Sequence, residues 1–182
     1  MLKGFLIAGL TAMLSFHTYS EDSDIWGKNL LKNNDFNEGK TGWSAPGWIK
    51  KNTDFTVVEN NAAKSLKMSI TAANEQSMVS QTITLNTSVT DFRIMFDAKY
   101  HLPNSFFYVK MDFKDAQNKS LKMIVLLTIY GKSEIYKTFS KEFSLPAKTK
   151  FINLFLHLEP QKIINENANI EISSIYLQPK AE

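Results

Sequence analysis

The chain has 182 residues, a formal net charge of +3 and no cysteine. The missing thiols exclude a disulfide framework, thiol catalysis and thiolate metal sites, so packing alone must hold the fold. Basic residues come in pairs, such as Lys50-Lys51 and Lys148 with Lys150, and never as a long run, which argues against a nucleic-acid partner.

The first twenty residues read as a secretory leader. Lys3 precedes the apolar run from Phe5 to Phe16, then Thr18 and Ser20 stand before acidic Glu21-Asp22. Cleavage after Ser20 is expected, so the protein is predicted to be secreted or periplasmic. The alternative is a retained anchor, although the run is short for a membrane span. Removing 20 of 182 residues leaves 162, one domain's worth, with 20 basic residues facing 18 acidic ones. No later stretch is apolar and long enough to span a membrane. Residues 21–28 read as a lead-in that includes Trp26, and residues 29–179 as one domain.

Strand-like alternation dominates that domain. In Ser65–Ala72, Leu66, Met68 and Ile70 share one face. In Asp91–His101, Phe92, Ile94, Phe96, Ala98 and Tyr100 alternate with Arg93, Met95, Asp97, Lys99 and His101. In Phe106–Phe113, Phe107, Val109, Met111 and Phe113 point inward, leaving Phe106, Tyr108, Lys110 and Asp112 outward. In Phe151–Glu159, Ile152, Leu154, Leu156 and Leu158 alternate with Asn153, Phe155, His157 and Glu159. Further strands are predicted at Phe55–Glu59, Val79–Leu85, Met123–Tyr130, Lys137–Phe143 and Ile170–Leu177. Turns are predicted at Asn60-Asn61, Leu102-Pro103-Asn104, Asp115–Asn118, Gly131-Lys132-Ser133, Leu145-Pro146 and Asn165–Asn169. Many short strands without crossover helices predict an all-β, antiparallel β-sandwich.

The opening of the domain, Asn29-Leu30-Leu31-Lys32-Asn33-Asn34-Asp35-Phe36-Asn37-Glu38-Gly39 with Gly42-Trp43, resembles the first strand of jelly-roll carbohydrate-binding modules. These are the cellulose- and xylan-binding kind, within the wider galactose-binding-like group. Ser65–Met68, Ser80–Ile83, Tyr136–Pro146 and Ile170–Leu177 resemble later family segments in the same order. The resemblance implies a jelly roll that binds a glycan by stacking aromatic rings on sugars. Two departures stand out. The family has Gly after Asn33, where this chain has Asn34; Asn also tolerates a left-handed turn, so the fold is expected to survive. Asn37 and Ser173 stand where many relatives place acids around a structural calcium, which argues against calcium even with Asp35 and Glu38 nearby.

A sugar site on such a fold needs aromatic platforms and polar side chains on one outer sheet face. The candidates are Trp48 in its Pro-Gly loop, Arg93, Asp97, Tyr108, Asp112, Tyr130 and His157. Trp43 reads instead as core. An ordinary solvated sheet would carry the same residue types. No catalytic motif is present: His101 and His157 lack metal-ligand spacing, and no G-x-S-x-G or phosphate loop occurs. The chain therefore reads as a non-catalytic glycan-binding protein with no cofactor. The alternative is an envelope-associated module that binds another protein through a flat apolar patch or an open strand edge.

Overall fold

A computed structural model describes residues 25–49, 55–60, 63–72, 75–161 and 166–181. The leader, Lys50-Lys51, and the turn residues Asn61 and Asn165 lie outside the described residues. Among the described residues seven strands follow in order: β1 (Thr56–Asn60), β2 (Ala63–Ile70), β3 (Ser77–Thr84), β4 (Asp91–Lys114), β5 (Ser120–Ser144), β6 (Phe151–Pro160) and β7 (Ala168–Pro179). Every pairing between them is antiparallel.

Two strands are long because each serves both layers. Residues 92–101 of β4 pair with β7, and residues 105–114 pair with β6. β5 follows β4 through both halves. The first layer is therefore β1-β2-β7-β4-β5, and the second is β3-β6-β4-β5. The sheet folds over where the sequence predicted turns. Between the pairs Leu102↔Gly131 and Phe107↔Ile129, five steps on β4 face two on β5. Pro103 cannot donate to the ladder there, and Asn104 and Gly131 take left-handed φ values of 47° and 84°. The expected turns at Leu102–Asn104 and Gly131–Ser133 thus bend continuous strands rather than ending them.

The inward faces close one core. Phe107, Val109, Met111 and Phe113 are fully buried, as are Phe92, Ile94 and Phe96, and Ile152, Leu154, Leu156 and Leu158. Rings meet across the layers: Phe96 lies 6.2 Å edge-on to Phe107, and Phe113 lies 5.9 Å from Phe143. Each such side chain contributes about 1.5–3 kcal/mol by leaving water.

The N-terminal segment seals one end. Asn29 Oδ1 accepts from the backbone N–H groups of Leu31 and Leu177, and Leu30 N–H donates to the Leu177 carbonyl. Trp43 is buried, its ring 5.8 Å from Phe36, and its indole N–H donates to the Asn33 carbonyl. The left-handed residue of the opening turn is Asn33 (φ 47°), not Asn34. Asn33's side chain fixes the turn, donating to the Gly39 and Thr41 carbonyls and accepting from Glu38 N–H. Phe36 also takes a positive φ, of 58°, unusual for a bulky residue; its complete burial holds it there. Gly42 (φ 81°) lets the chain pass the Lys32 side chain, where a Cβ would sit 3.2 Å from it. Residues 25–28 are no loose lead-in. Trp26 is buried, bridges Lys180 and lies under the Arg93 guanidinium at 4.6 Å.

Candidate functional site

The outer face of the second layer gathers the aromatic and polar groups. Residues paired across antiparallel strands share a face. One row across this face is Thr128 (β5), Tyr108 (β4), His157 (β6) and Met78 (β3). The next is Val125, Lys110, Phe155 and Ser80, and a third is Met123, Asp112, Asn153 and Thr82. At one side Ser44 bridges Ser80, and the loop beyond it brings Trp48 edge-on to Phe155 at 6.4 Å. Trp48 is 71% exposed, since a Pro-Gly loop carries it clear of the core. Toward β5, Tyr108 lies 5.7 Å from Phe106, and Phe106 lies 6.4 Å from the exposed ring of Tyr130.

Between these rings stands a polar cluster. Lys110 Nζ lies 2.7 Å from His157 Nδ1, 3.9 Å from Glu159 Oε2 and 4.6 Å above the centre of the Tyr108 ring. His157 Nε2 lies 2.8 Å from Gln76 Oε1 and 3.2 Å from Glu159 Oε2. A carboxylate only accepts, so Nε2 carries the proton and Nδ1 accepts from Lys110. Burial first, and the Lys110 charge second, hold the imidazole down to about 4, so it is neutral at pH 7. Its contact with Glu159 is therefore not an ion pair. Burial, then the Glu159 carboxylate, push the Tyr108 hydroxyl up.

The seven sequence-predicted residues do not form one site. Trp48, Tyr108, Asp112, Tyr130 and His157 belong to the second layer's side of the molecule. Arg93 and Asp97 are on the first layer's outer face, because the fold-over in β4 turns its two halves onto opposite sides of the sandwich. There Arg93 donates to Gln178 and lies over Trp26, and Asp97 accepts from Thr138. Two of the remaining five are not presented to solvent. Asp112 is 6% exposed, accepting from Ser120 and lying near Lys114; His157 is 4% exposed beneath its partners. Lys110, Phe155 and Glu159 were legible as outward on their strands and belong with the site. Gln76, just before β3, carried no signal.

The first layer's outer side offers a different feature. A cleft of about 400 Å³ is lined by Lys99, His101, Lys132, Glu134 and Asn169, among others. Its charges are matched, Lys99 with Glu171 at 3.1 Å and Lys132 with Glu134 at 2.7 Å, and His101 Nε2 lies within hydrogen-bond distance of Glu166 at 3.1 Å. Glu171 is kept ionised: burial pushes it up, but hydrogen bonds from Tyr136, Ser65 and Lys99 outweigh that and lower it. Tyr136 is pushed up to about 12 by burial and by Glu171.

Calcium does not fit the opening turn. Asp35 Oδ2 accepts from Asn37 Nδ2 at 2.6 Å, and the Lys64 ammonium donates to the Asn37 carbonyl at 2.9 Å. A divalent ion there would face a fixed positive charge. Among the described residues, no three His, Cys, Asp or Glu side chains come together to hold a metal.

No protein-family model matches the sequence, and no curated protein matches it. Solved structures do. A CBM22-1 xylan-binding domain from Paenibacillus barcinonensis Xyn10C is 18% identical, with a TM-score of 0.54 over 86% of this chain and 97% of its own. TmCBM61, solved with β-1,4-galactotriose, is 17% identical, with a TM-score of 0.54 over 84% of this chain and 99% of its own. The enzymatically active domain of bacteriophage CBA120 tailspike protein 4 gives a TM-score of 0.62 at 17% identity, over 84% of this chain. This chain spans only about a fifth of that domain's length, 21%. The fold is that of the jelly-roll carbohydrate-binding modules. The two modules match nearly end to end, while the tailspike enzyme matches only in part.

Proposed function

We propose that the protein is an exported, non-catalytic glycan-binding protein whose ligand lies across the outer face of the second layer. One observation carries this reading: aromatic rings from three strands and one loop share a face, with Lys110 and Glu159 between them. Trp48 and Phe155 form one platform and Phe106, Tyr108 and Tyr130 the other. Ring faces cover the apolar faces of pyranoses, and the charged groups bond hydroxyls. The modules with the same fold, one of them xylan-binding and one solved with β-1,4-galactotriose, support a polysaccharide as the ligand class. Export rests on the leader, with secretion or a periplasmic location following from it. A non-catalytic role is supported by the end-to-end match to binding modules and by the engagement of Asp112 with Ser120 and Lys114.

A second reading has its own observation. β5 pairs along one edge only among the described residues, and Leu121, Met123 and Val125 on it are exposed. Such an edge can accept a strand from another envelope protein. Titration of the purified protein with xylohexaose and β-1,4-galactotriose, beside an array of bacterial and plant polysaccharides, separates the readings. Saturable binding that Trp48→Ala weakens supports the glycan. No binding to any glycan, with β5-dependent capture of a protein, supports the second.

A further inference from the structure

We infer that His157 is a positioning residue rather than a sugar contact: it holds the Lys110 ammonium in the aromatic face, and acid releases it. This rests on the glycan-binding reading for its functional meaning, but its structural content stands alone.

The geometry carries it in three steps. His157 is almost fully buried, so it presents no polar atom to a ligand. Both of its ring nitrogens are used within the protein: Nε2–H toward Gln76 and Glu159, and Nδ1 accepting from Lys110. Lys110 has three donors and gives one to Nδ1 at 2.7 Å. Glu159 is too distant, at 3.9 Å, to take a second firmly, so donors remain for a ligand. The bond also fixes where they sit, over Tyr108 and in register with Phe155, between the two aromatic platforms. Without it, a long lysine would sample many rotamers, and ordering it on binding would cost affinity.

The same bond makes the arrangement proton-sensitive. Protonation turns Nδ1 into a donor, and an imidazolium then faces an ammonium at 2.7 Å. The charged and titratable groups facing the ring are Lys110 and Tyr108 from β4 and Glu159 from β6 itself. The neighbours from β3 and β5, Met78 and Thr128, are uncharged, and so is Gln76. Glu159 alone cannot offset two cations, so Lys110 leaves the ring face.

The test has an arm that needs no glycan. Lys110 methylene protons, held over the Tyr108 ring, should resonate upfield in the NMR spectrum at pH 7. His157→Phe keeps the ring shape without the acceptor and should abolish that shift. His157→Gln offers an amide oxygen that does not titrate, and should retain it. In the wild type the shift should vanish as pH falls through His157's own titration, near 4; in His157→Gln it should persist. In the second arm, against xylohexaose and β-1,4-galactotriose, His157→Phe should weaken binding about tenfold at pH 7, the worth of one charge-assisted bond. His157→Gln should bind like the wild type and lose the acid sensitivity. An unchanged Lys110 shift in His157→Phe overturns the positioning role. So does a shift in the wild type that ignores His157's titration. If the Lys110 arm succeeds and neither glycan binds, the positioning stands and the glycan reading is what fails. If His157→Phe and His157→Gln lose binding equally while Lys110 stays in place, His157 touches the sugar directly and the inference is wrong.

Discussion

The two outer faces of the sandwich share β4 and β5 and differ in what they leave unsatisfied. β4 supplies Arg93, Asp97 and Lys99 to the first face, and Tyr108 and Lys110 to the second. On the first face most polar groups are spent on one another: Lys99, Tyr136 and Ser65 converge on Glu171, Asp97 takes the Thr138 hydroxyl, and Arg93 lies on Trp26, although His101 Nδ1 is buried without a hydrogen-bond partner among the described residues. On the second, ring faces are left open at Trp48 and Tyr130, and Lys110 keeps free donors beside Tyr108. A face whose groups are mutually matched stabilises a sheet. A face with unmatched rings and donors can recognise something. The distinction lies in partners, because residue types on the two faces are similar.

The largest effect should come from the core that both faces share. Phe107→Ala should cost about 3–5 kcal/mol of stability, read as a much lower melting temperature, with glycan affinity unchanged well below the melt. A small stability loss would mean that β4's inward and outward faces are reversed.

Next, Trp48→Ala and Tyr108→Ala should each weaken glycan binding by roughly 1–2 kcal/mol, about tenfold or somewhat more, and leave melting nearly unchanged for the exposed Trp48. Titration calorimetry with paired melting curves checks both. An affinity loss tracking a stability loss would count against a surface role.

Acid should reveal the buried imidazole in stability as well as binding. His157 ionises near 4 in the folded chain, against 6.5 ordinarily. The unfolded chain therefore takes up the proton first. Its contribution is complete above pH 6.5 and is lost as pH falls from there through about 4. Urea melts across that window should show a decline that is flatter in His157→Gln; parallel curves would mean the ring is not held neutral.

A smaller effect is expected from Arg93→Ala. Losing the guanidinium over Trp26 should cost about 0.5–1 kcal/mol of stability and leave glycan affinity alone. Smallest of all, melts with calcium and with a chelator should coincide, because Lys64 already places a cation at the Asn37 carbonyl.

Much of this was legible in alternation. The inward sets of β4 and β6 follow from period two, because burying one face constrains every second residue. Trp43 in the core follows from the opening segment. Alternation, however, says only that Arg93 and Tyr108 both point away from the core. It cannot say that they point away on opposite sides. That depends on Pro103, Asn104 and Gly131 folding one strand across two layers, and these residues read equally as turns. Nor does outward mean exposed: His157 and Asp112 alternate outward yet are covered by side chains from neighbouring strands and from the segment around Gln76 and Ser120. The left-handed position moved from Asn34 to Asn33 for a similar reason, since Asn33's side chain binds three backbone groups of its own turn.

The most direct test sets the two faces against each other in one binding experiment. A Trp48→Ala/Tyr108→Ala double variant and an Arg93→Ala/Asp97→Ala double variant, both confirmed as folded, are titrated with the glycan that binds the wild type. The second-layer variant should lose binding about a hundredfold, as two independent losses of about tenfold combine. The first-layer variant should bind like the wild type. Retained binding in the former, or its loss in the latter, would place recognition on the other face and contradict the account.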